Sequence, residues 1–188
     1  MLNIRHAMPD DAPAIAKVHI ASWRTAYKDI LPEARSNGLD PVRVTESFRK
    51  SISFGAEDIY IGENNGHVAG FISLIGGHHD HGDKGTVTGI CTIYLAPEYW
   101  RKGMGRLLYR EGETFLASAG CTAVTFWVFA ENVRARRFYE AMGFTVDGEA
   151  VVLNMGASVK AVHYRKDVGR KPGDSIFIMP SDYATGRQ

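Results

Sequence analysis

The stretch from Thr86 to Phe129 constrains the fold of this chain more than any other. It predicts a strand over residues 86–95, a turn, a long helix over residues 103–119 and an apolar strand over residues 123–129. Two strands that a helix connects in this way lie parallel in one sheet, with a right-handed crossover. Because the second strand is apolar on both alternating faces, we expect it inside the sheet with both faces covered.

The remaining segments predict mostly antiparallel strands and several helices. We predict strands over residues 2–6, 58–63, 67–75, 145–153 and 159–165, helices after Asp11, over 42–52 and over 132–142, and loops over 30–41 and 76–85. The turn Asn64-Asn65-Gly66 favours a hairpin between the second and third of these strands. The predicted fold class is therefore mixed α+β. It has a mostly antiparallel central sheet with one parallel strand pair, joined by a crossover helix and flanked by helices.

The length of 188 residues suits one globular domain, because domains commonly contain about 100 to 200 residues. We predict a single domain over residues 1–168 and a C-terminal tail over residues 169–188. In the tail, glycine, proline and charge surround the apolar run Ile176–Met179. Such a run would expose hydrophobic surface, so we expect it to add a strand to a sheet edge or to a partner subunit in a homodimer.

The balance of charge and the cysteine content exclude several classes of protein. Lys plus Arg number 22 against 21 Asp plus Glu, so no global field recruits nucleic acid or an anionic membrane. Cys91 and Cys121 show neither the density of a disulfide scaffold nor C-x-x-C spacing. Asp10 and Asp11 interrupt any signal-peptide pattern, and no run of about 18 apolar residues occurs. We therefore expect a cytoplasmic protein whose anion sites, if any, are local.

An anion site is indicated by the turn that precedes the long helix, P-E-Y-W-R-K-G-M-G-R over residues 97–106. A helix that begins here aims unpaired backbone N–H groups and the positive end of its dipole outward, which suits phosphate oxygens. Gly103 and Gly105 let the backbone approach a ligand closely. Leu108 stands where a dinucleotide-binding G-x-G-x-x-G needs glycine, and no P-loop pattern is present. Four cations lie close together without an acid among them: Arg101, Lys102, Arg106 and Arg110.

With these motifs the sequence resembles a known family, the GNAT superfamily of acyl-CoA-dependent N-acyltransferases. The resemblance covers residues 92–144. The strand, the Y-L-A-P-E-Y-W-R-K-G-M-G-R turn, the long helix, the second strand and the N-V-R-A-R-R-F-Y-E-A-M-G-F helix follow in the family's order and spacing. The segment A-S-W-R-T-A-Y with a following I-L-P is similar to one acetyltransferase subgroup. Trp100 departs from the family's pattern, which has Gln or Arg there.

The resemblance implies acetyl-CoA as the co-substrate and no metal. The pantetheine arm would pair with the backbone of Ile93, Tyr94 and Leu95, and a strand-edge amide there could hold the developing oxyanion. The pyrophosphate would sit on the turn, which implies cofactor-binding roles for Arg101, Lys102, Gly103, Met104, Gly105 and Arg106.

Two residues of the last helix extend the resemblance, Asn132 and Tyr139. They lie seven residues apart, two helical turns, and so share one face of the helix. In the family, the asparagine contacts the cofactor and the tyrosine protonates the departing thiolate as a catalytic acid. From the residues alone, Asn132 also fits a helix N-cap and Tyr139 a half-buried core aromatic.

Transfer to an amine also needs a base or a water relay, since an alkyl amine with a pKa of about 10 is mostly protonated near neutral pH. Some family members carry a carboxylate on the first core strand or its parallel neighbour. The corresponding segments of this sequence, which include Gly89 and Trp127, contain no acidic residue. His19 on the first helix is the leading substitute, against a role as a satisfied core histidine. Cys91 as an acyl-accepting nucleophile is less favoured, because its surroundings are apolar and the family transfers the acyl group directly.

Two further patterns have a functional and a structural interpretation. The segment H-H-D-H, residues His78 to His81, invites a zinc site, since imidazole and carboxylate bind zinc. Four adjacent loop residues rarely close a tetrahedron alone, so we predict a solvated loop and no metal. Trp23 and Tyr27 could wall an acceptor pocket, although aromatic residues at helical spacing are more often core.

The sequence thus predicts an N-acetyltransferase that moves an acetyl group from acetyl-CoA directly to a primary amine of a small molecule or peptide. The missing carboxylate base suggests a second hypothesis, a non-catalytic acyl-CoA-binding or regulatory module. An enzyme that acetylates proteins would differ from one that acetylates small molecules only in the groove that binds the acceptor. The sequence does not name the acceptor.

Overall fold

The computed structural model describes the backbone of residues 2–79 and 86–168, and the side chains of residues 2–75 and 92–168. The strands are β1 (Leu2–His6), β2 (Asp58–Asn64), β3 (His67–His79), β4 (Thr86–Leu95), β5 (Cys121–Phe129), β6 (Thr145–Asn154) and β7 (Ser158–Asp167). The helices are α1 (Ala12–Ala26), α2 (Glu33–Asn37), α3 (Pro41–Phe54), α4 (Met104–Ser118) and α5 (Val133–Ala141). Short 3-10 turns lie over Pro9–Asp11 and Pro97–Tyr99.

The strands form one sheet in the order β1-β2-β3-β4-β5-β7-β6. The pair β4 and β5 is parallel and helix α4 connects it, as predicted, whereas the other neighbours are antiparallel. The parallel pairing runs from Thr86 with Cys121 to Gly89 with Thr125. Beyond Gly89 the described backbone of β4 has no register partner on β5, so the two strands separate toward their carboxyl ends. The mixed α+β fold class is confirmed, and it contains a gap in the middle of the sheet.

Helices pack on both faces of the sheet, because alternate strand residues point to opposite sides. On one face α4 and α5 cover the larger hydrophobic cluster, which includes Ile72, Leu74, Leu108, Leu116 and Val124. On the other face α1 and α3 cover a smaller cluster, which includes Ile15, Val18, Ile59, Ile61 and Phe71. Strand β6 at the sheet edge is exposed at every residue.

Helix α5 is held on the sheet by a polar network that centres on Tyr164 of β7. The Arg136 guanidinium donates to the Tyr164 hydroxyl at 3.0 Å and to the Ala130 carbonyl at 3.2 Å. The Tyr164 hydroxyl donates in turn to the Glu140 carboxylate at 2.7 Å. These contacts tie the middle of α5 and its last turn to β7 and to the residue that follows β5, which fixes the helix on the sheet.

Two predicted loops contain regular structure. Residues 33–37 form α2 directly after Pro32, and a helix of five residues is too short to show a periodic apolar pattern. Strand β3 continues to His79, with His78 and His79 paired to Val87 and Thr86, so the predicted loop over 76–85 begins as strand. The predicted turn at Asn65 and Gly66 is confirmed, with φ of 50° and 79° as a two-residue hairpin turn requires.

Several predictions concern residues outside the described parts of the chain. These are the tail over residues 169–188 with its run Ile176–Met179, and Asp80 and His81 of the histidine segment. The side chains of His78, His79 and Cys91 are also outside the described set. Within the described helices, none is long and apolar enough to cross a membrane.

Candidate active site

A cleft of about 760 Å³ opens where β4 and β5 separate. Its walls come from these two strands, the turn after β4, the first residues of α4, helix α5 and the end of α1. The lining divides into two ends of different chemistry. The cationic end carries Arg101, Arg106, Arg134 and Arg137, and the aromatic end carries Tyr27, Tyr94, Trp127, Phe129 and Tyr139.

The cationic end begins with the turn between β4 and α4. Arg101 and Gly103 have φ of 61° and 86°, so the chain turns sharply just before the helix. Gly103 is the N-cap of α4 and provides no side-chain cap, which leaves the first N–H groups of the helix without a capping side chain. The Trp100 indole N–H donates to the Leu95 carbonyl at 2.8 Å and closes the turn back onto β4. A turn of this shape presents a helix N-terminus to the cleft, as an anion site needs.

Four arginines line this end from two helix starts. Arg101 and Arg106 flank the start of α4, while Arg134 and Arg137 lie in the first turns of α5. The Arg134 guanidinium carbon lies 3.9 Å from the centre of the Trp100 ring and links the two helix starts. The described lining contains no aspartate or glutamate. The combination of two helix N-termini with unbalanced guanidinium groups suits a ligand that carries several phosphate charges.

Gly105 has a packing role that the sequence did not reveal. A Cβ at this position would lie 3.2 Å from side-chain atoms of both Leu95 and Phe138, which is tighter than ordinary van der Waals contact. Glycine therefore lets the first turn of α4 approach β4 and α5. At Gly103, by contrast, a Cβ would meet nothing within 4 Å, and glycine is favoured by the positive φ alone.

Two of the predicted cofactor residues do not contribute side chains to the described lining. Met104 is 1% exposed and belongs to the larger core cluster. Lys102 is exposed, with its ammonium 6.0 Å from the centre of the Tyr99 ring. A role for their backbone N–H groups stays a prediction. The other predicted positions all line the cleft: Ile93, Tyr94, Leu95, Arg101, Gly103, Gly105, Arg106, Asn132 and Tyr139.

Asn132 and Tyr139 meet the cleft from the same face of α5, as their spacing predicts. The Asn132 Oδ1 accepts the Ala135 N–H at 3.2 Å, which confirms the N-cap. Tyr139 is 7% exposed, and its ring packs 4.1 Å from the Phe126 ring, measured between centres. Burial raises the pKa of the Tyr139 hydroxyl, and the nearby Tyr27 hydroxyl raises it further. This hydroxyl therefore stays protonated throughout the neutral and mildly alkaline range.

Tyr27 reaches from the end of α1 across the aromatic end. Its hydroxyl lies 3.4 Å from the Tyr94 hydroxyl, and its ring centre lies 5.2 Å from that of Phe129. Burial raises the pKa of Tyr27, an effect that hydrogen bonds from Tyr94 and Asn132 partly offset. Because Asn132 Oδ1 is used in the cap, its amide N–H₂ is the group that can donate to Tyr27. The pocket-wall interpretation of Tyr27 is thus favoured over the purely core one.

His19, the leading candidate base from the sequence, lies in an aromatic environment beside the cleft rather than in its lining. The nearest of the surrounding rings are those of Tyr94 at 4.9 Å and Phe48 at 5.6 Å, between centres. Desolvation lowers the pKa of His19 to about 4, and its buried Nδ1 has no hydrogen-bond partner. The imidazole is therefore a weak proton acceptor at neutral pH, and it is not a satisfied core histidine either.

Sequence reasoning missed Arg134, Arg137, Trp127 and Phe129 as lining residues. Arg134 and Arg137 were predictable from the sequence, because they follow the Asn132 cap and so place cations at a second helix N-terminus. No sequence pattern indicated Trp127 and Phe129, since alternate apolar residues of a strand do not reveal which face borders a cleft. In the described part of the chain no group of three or more His, Cys, Asp or Glu side chains could hold a metal ion.

Comparisons with known proteins point to one family. A family model described as the acetyltransferase (GNAT) family matches residues 20–144. The chain is 30% identical over 177 residues to a probable N-acetyltransferase of Mycobacterium tuberculosis, covering 92% of this chain and 97% of that protein. It is 32% identical over 133 residues to the uncharacterised N-acetyltransferase YuaI of Bacillus subtilis, covering 70% and 74%. Among solved structures, a PaiA N-acetyltransferase of Thermoplasma acidophilum in complex with coenzyme A matches with a TM-score of 0.70 and 20% identity, covering 89% and 99%.

Proposed function

Because the chain belongs to the GNAT family of acetyltransferases, we propose that it transfers an acetyl group from acetyl-CoA directly to a primary amine of a small molecule or peptide. The observation that carries the proposal is the cleft between β4 and β5. One end is cationic, and the other is aromatic and holds the Tyr139 hydroxyl. Acetyl-CoA has the same polarity, with phosphates at one end and a thioester at the other.

The residues present fit this co-substrate. Beyond Gly89 the β4 edge lacks a partner on β5 in the described backbone, so an extended amide-bearing arm could pair with Ile93 and Tyr94 there. The Leu95 carbonyl already accepts the Trp100 N–H, which fixes where the strand edge ends. The phosphates would then meet the start of α4 together with the guanidinium groups of Arg101 and Arg106.

Acetyl-CoA supplies an activated acyl carbon and a thiolate leaving group. Tyr139 lines the cleft with a protonated phenol oxygen, and in this proposal it would pass that proton to the departing sulfur. A thiol has a pKa of about 8.5, so the thiolate needs less protonic help than an alkoxide would. Because burial makes the Tyr139 hydroxyl a reluctant donor, we place its contribution at the lower end of the roughly 10²- to 10⁴-fold range of general acid catalysis.

The aromatic end would bind the acceptor. Trp127, Phe129 and Tyr27 offer ring faces and edges there, and Ser22 of α1 adds a hydroxyl group. Aromatic faces attract ammonium groups as well as apolar ones, so they can hold an amine in either protonation state. The described lining lacks a carboxylate that would fix the ammonium form.

Other expectations from the sequence belong to the same proposal. We propose a single catalytic domain over residues 1–168 that works in the cytoplasm without a metal, and a homodimer to which the tail contributes. Balanced charge and the absence of paired-cysteine motifs support the cytoplasmic location. The exposed edge strand β6 supports the dimer, since unpaired strand edges favour association.

The experiment that tests the function combines calorimetry and a thiol-release screen. Wild-type protein is titrated with acetyl-CoA, then incubated with acetyl-CoA and a panel of small amines, antibiotics and peptides while free thiol is followed. We expect binding, and thiol release that depends on one class of amine, with the acetylated product identified by mass. Binding without thiol release for any acceptor would favour the non-catalytic acyl-CoA-binding module. Absence of binding would contradict both hypotheses.

A further inference from the structure

A histidine–aspartate pair lies beside the aromatic end of the cleft. Trp127 on β5 and His163 on β7 are register partners, and their ring centres are 4.7 Å apart. Trp127 lines the cleft and is 44% exposed. On β6, the Asp147 Oδ2 lies 2.5 Å from the His163 Nδ1. The imidazole therefore stands one strand beyond the cleft wall, between an exposed indole and a carboxylate.

The pair lies on the face of the sheet that α1 approaches. Phe129, two residues after Trp127, contacts Tyr27 of α1. Because strand residues alternate between faces and register partners share one, Trp127, Phe129 and His163 all point to this side. An acceptor bound against Trp127 would therefore lie on the same side of the sheet as the imidazole, which packs beside that indole.

The hydrogen bond settles which nitrogen of His163 is free. Partial desolvation would raise the pKa of Asp147, but hydrogen bonds from the Glu149 N–H and from His163 outweigh it and lower that pKa. The carboxylate is therefore ionised at neutral pH and can only accept hydrogen bonds. The His163 Nδ1 must then carry the hydrogen, which leaves a lone pair on Nε2 of the neutral ring.

We propose that His163 is the general base of the acetyl transfer. Its Nε2 takes a proton from the ammonium group of the acceptor, and Asp147 is a positioning residue that holds the Nδ1–H tautomer. This inference rests on the proposed function and adds the base that the sequence lacks on β4 and β5.

An N–H bond of the ammonium breaks, its proton goes to His163 Nε2, and the nitrogen lone pair forms the new bond to the acetyl carbon. The C–S bond breaks with its electron pair on sulfur, which takes a proton from Tyr139. Tyr139 recovers that proton from the acetylated nitrogen, and the imidazolium releases its proton to solvent. The net products are the amide, the free thiol and one proton.

The other candidate bases are less well placed. His19 lies among aromatic rings, and desolvation lowers its pKa to about 4, so its imidazole is a weak proton acceptor at neutral pH. Glu57 accepts a hydrogen bond from Ser73 at the start of β2, on the far side of β4 from Trp127.

In the described part of the chain, the groups around His163 come from β5, β6 and β7. From β6 they are Asp147, which contacts the imidazole, and Glu149, whose backbone N–H donates to the Asp147 carboxylate. From β5 the neighbour is the uncharged Trp127. Along β7 itself the nearest charge on the same face is Arg165, which is paired with Asp167 at 3.0 Å.

The kinetic test compares His163→Gln, Asp147→Asn and His6→Gln with the wild type. His6 forms another histidine–aspartate pair, with Asp58 at 3.3 Å on the far edge of the sheet, so His6→Gln is a matched control. Benzylamine is the probe acceptor, together with the fastest acceptor from the screen. At pH 7 we expect His163→Gln to lower kcat about 100-fold or more, within the usual range for a general base. Asp147→Asn should lower kcat by a smaller factor, and His6→Gln should leave kcat unchanged.

A second arm separates proton transfer from structural damage. The loss of kcat in His163→Gln should become smaller as the pH rises above the pKa of the amine. It should also be small for aniline, whose amine is unprotonated at pH 7. Acetyl-CoA affinity, measured by calorimetry, should stay unchanged. A full kcat in His163→Gln at pH 7, or an equal loss at every pH and with both amines, would overturn the role of His163. A wild type that releases no thiol with any amine would contradict the proposed function instead.

The tautomer can be read without any acceptor. In ¹⁵N-histidine-labelled wild-type protein, two-bond nitrogen–hydrogen correlations should show His163 with its hydrogen on Nδ1, and this preference should weaken in Asp147→Asn. A hydrogen on Nε2 in the wild type would contradict the proposal independently of the kinetics.

Discussion

The two ends of the cleft differ in charge and in exposure to solvent. At the cationic end the arginine side chains are exposed, carry permanent charge and extend from two helix starts. At the aromatic end Tyr94 and Tyr139 hold neutral hydroxyls whose pKa burial raises. Exposed charges attract a ligand over a distance but are screened by salt, whereas buried hydroxyls act only on atoms in contact with them. Affinity for a polyanion and chemistry on its far end can therefore be changed separately.

The largest expected effect comes from reversing one charge at the cationic end. Arg106→Glu would place a carboxylate at the proposed phosphate site and remove charge-assisted hydrogen bonds worth about 1.5 to 3 kcal/mol. With the added repulsion, we expect the Kd for acetyl-CoA to rise at least about a hundredfold by calorimetry. Arg110→Glu is the matched control, since it lies one turn further along α4 and outside the described lining. Equal losses in the two variants would mean that net charge matters rather than this site.

The corresponding change at the aromatic end should leave affinity intact. Tyr139→Phe keeps the ring that packs on Phe126 and removes only the hydroxyl. We expect kcat to fall by about 10²-fold, near the bottom of the range for general acid catalysis, with an unchanged Kd for acetyl-CoA. An unaltered kcat, together with a lowered Tm in Tyr139→Ala, would show a core tyrosine and a thiolate that takes its proton from water.

A third experiment uses His19, the half-buried histidine next to the aromatic end. In the unfolded chain His19 titrates near 6.5, while desolvation lowers the pKa in the folded state to about 4. Between these values the unfolded state binds more protons, so the free energy of unfolding should fall as the pH drops from about 6.5 to about 4. The slope would approach about 1.4 kcal/mol per pH unit.

His19→Phe should remove this part of the pH dependence, which urea unfolding at several pH values would measure. His67→Gln, at an exposed histidine on β3, is the control and should keep the wild-type slope. An undiminished slope in His19→Phe would show that other groups cause the acid sensitivity.

The smallest effect concerns the contact that links the two helix starts. Trp100→Phe keeps a ring for Arg134 but loses the N–H that donates to the Leu95 carbonyl. We expect a change of a few-fold in the Kd for acetyl-CoA, and a larger one in Trp100→Ala, since an exposed cation–π contact is worth about 0.5–1 kcal/mol. If calorimetry finds that Trp100→Ala binds like the wild type, Arg134 needs no support from the indole.

The contrast between the two ends also explains what the sequence could predict. The cationic end is built from short segments, so Gly103, Arg106 and Asn132 were found from local motifs, and the parallel strand pair followed from one crossover. The aromatic end brings together residues from α1, β4, β5 and α5. Tyr27, Tyr94 and Tyr139 are predicted from the sequence, whereas Trp127 and Phe129 are not, because their place in the cleft depends on how the elements pack. The contact of Asp147 with His163 depends on β7 lying between β5 and β6, and that strand order comes from packing rather than from a local pattern.

The short parallel pairing of β4 with β5 makes the sheet dependent on what fills its gap. A pantetheine arm that pairs with the free edge of β4 would act as a missing strand, and ligand binding would then add to the stability of the fold. Ligand at 100 times its Kd stabilises a protein by about 2.7 kcal/mol, a large share of a typical total of 5–15 kcal/mol. Amide exchange and proteolysis near the gap should slow accordingly. The lifetime of the protein in a cell would then follow the supply of acetyl-CoA.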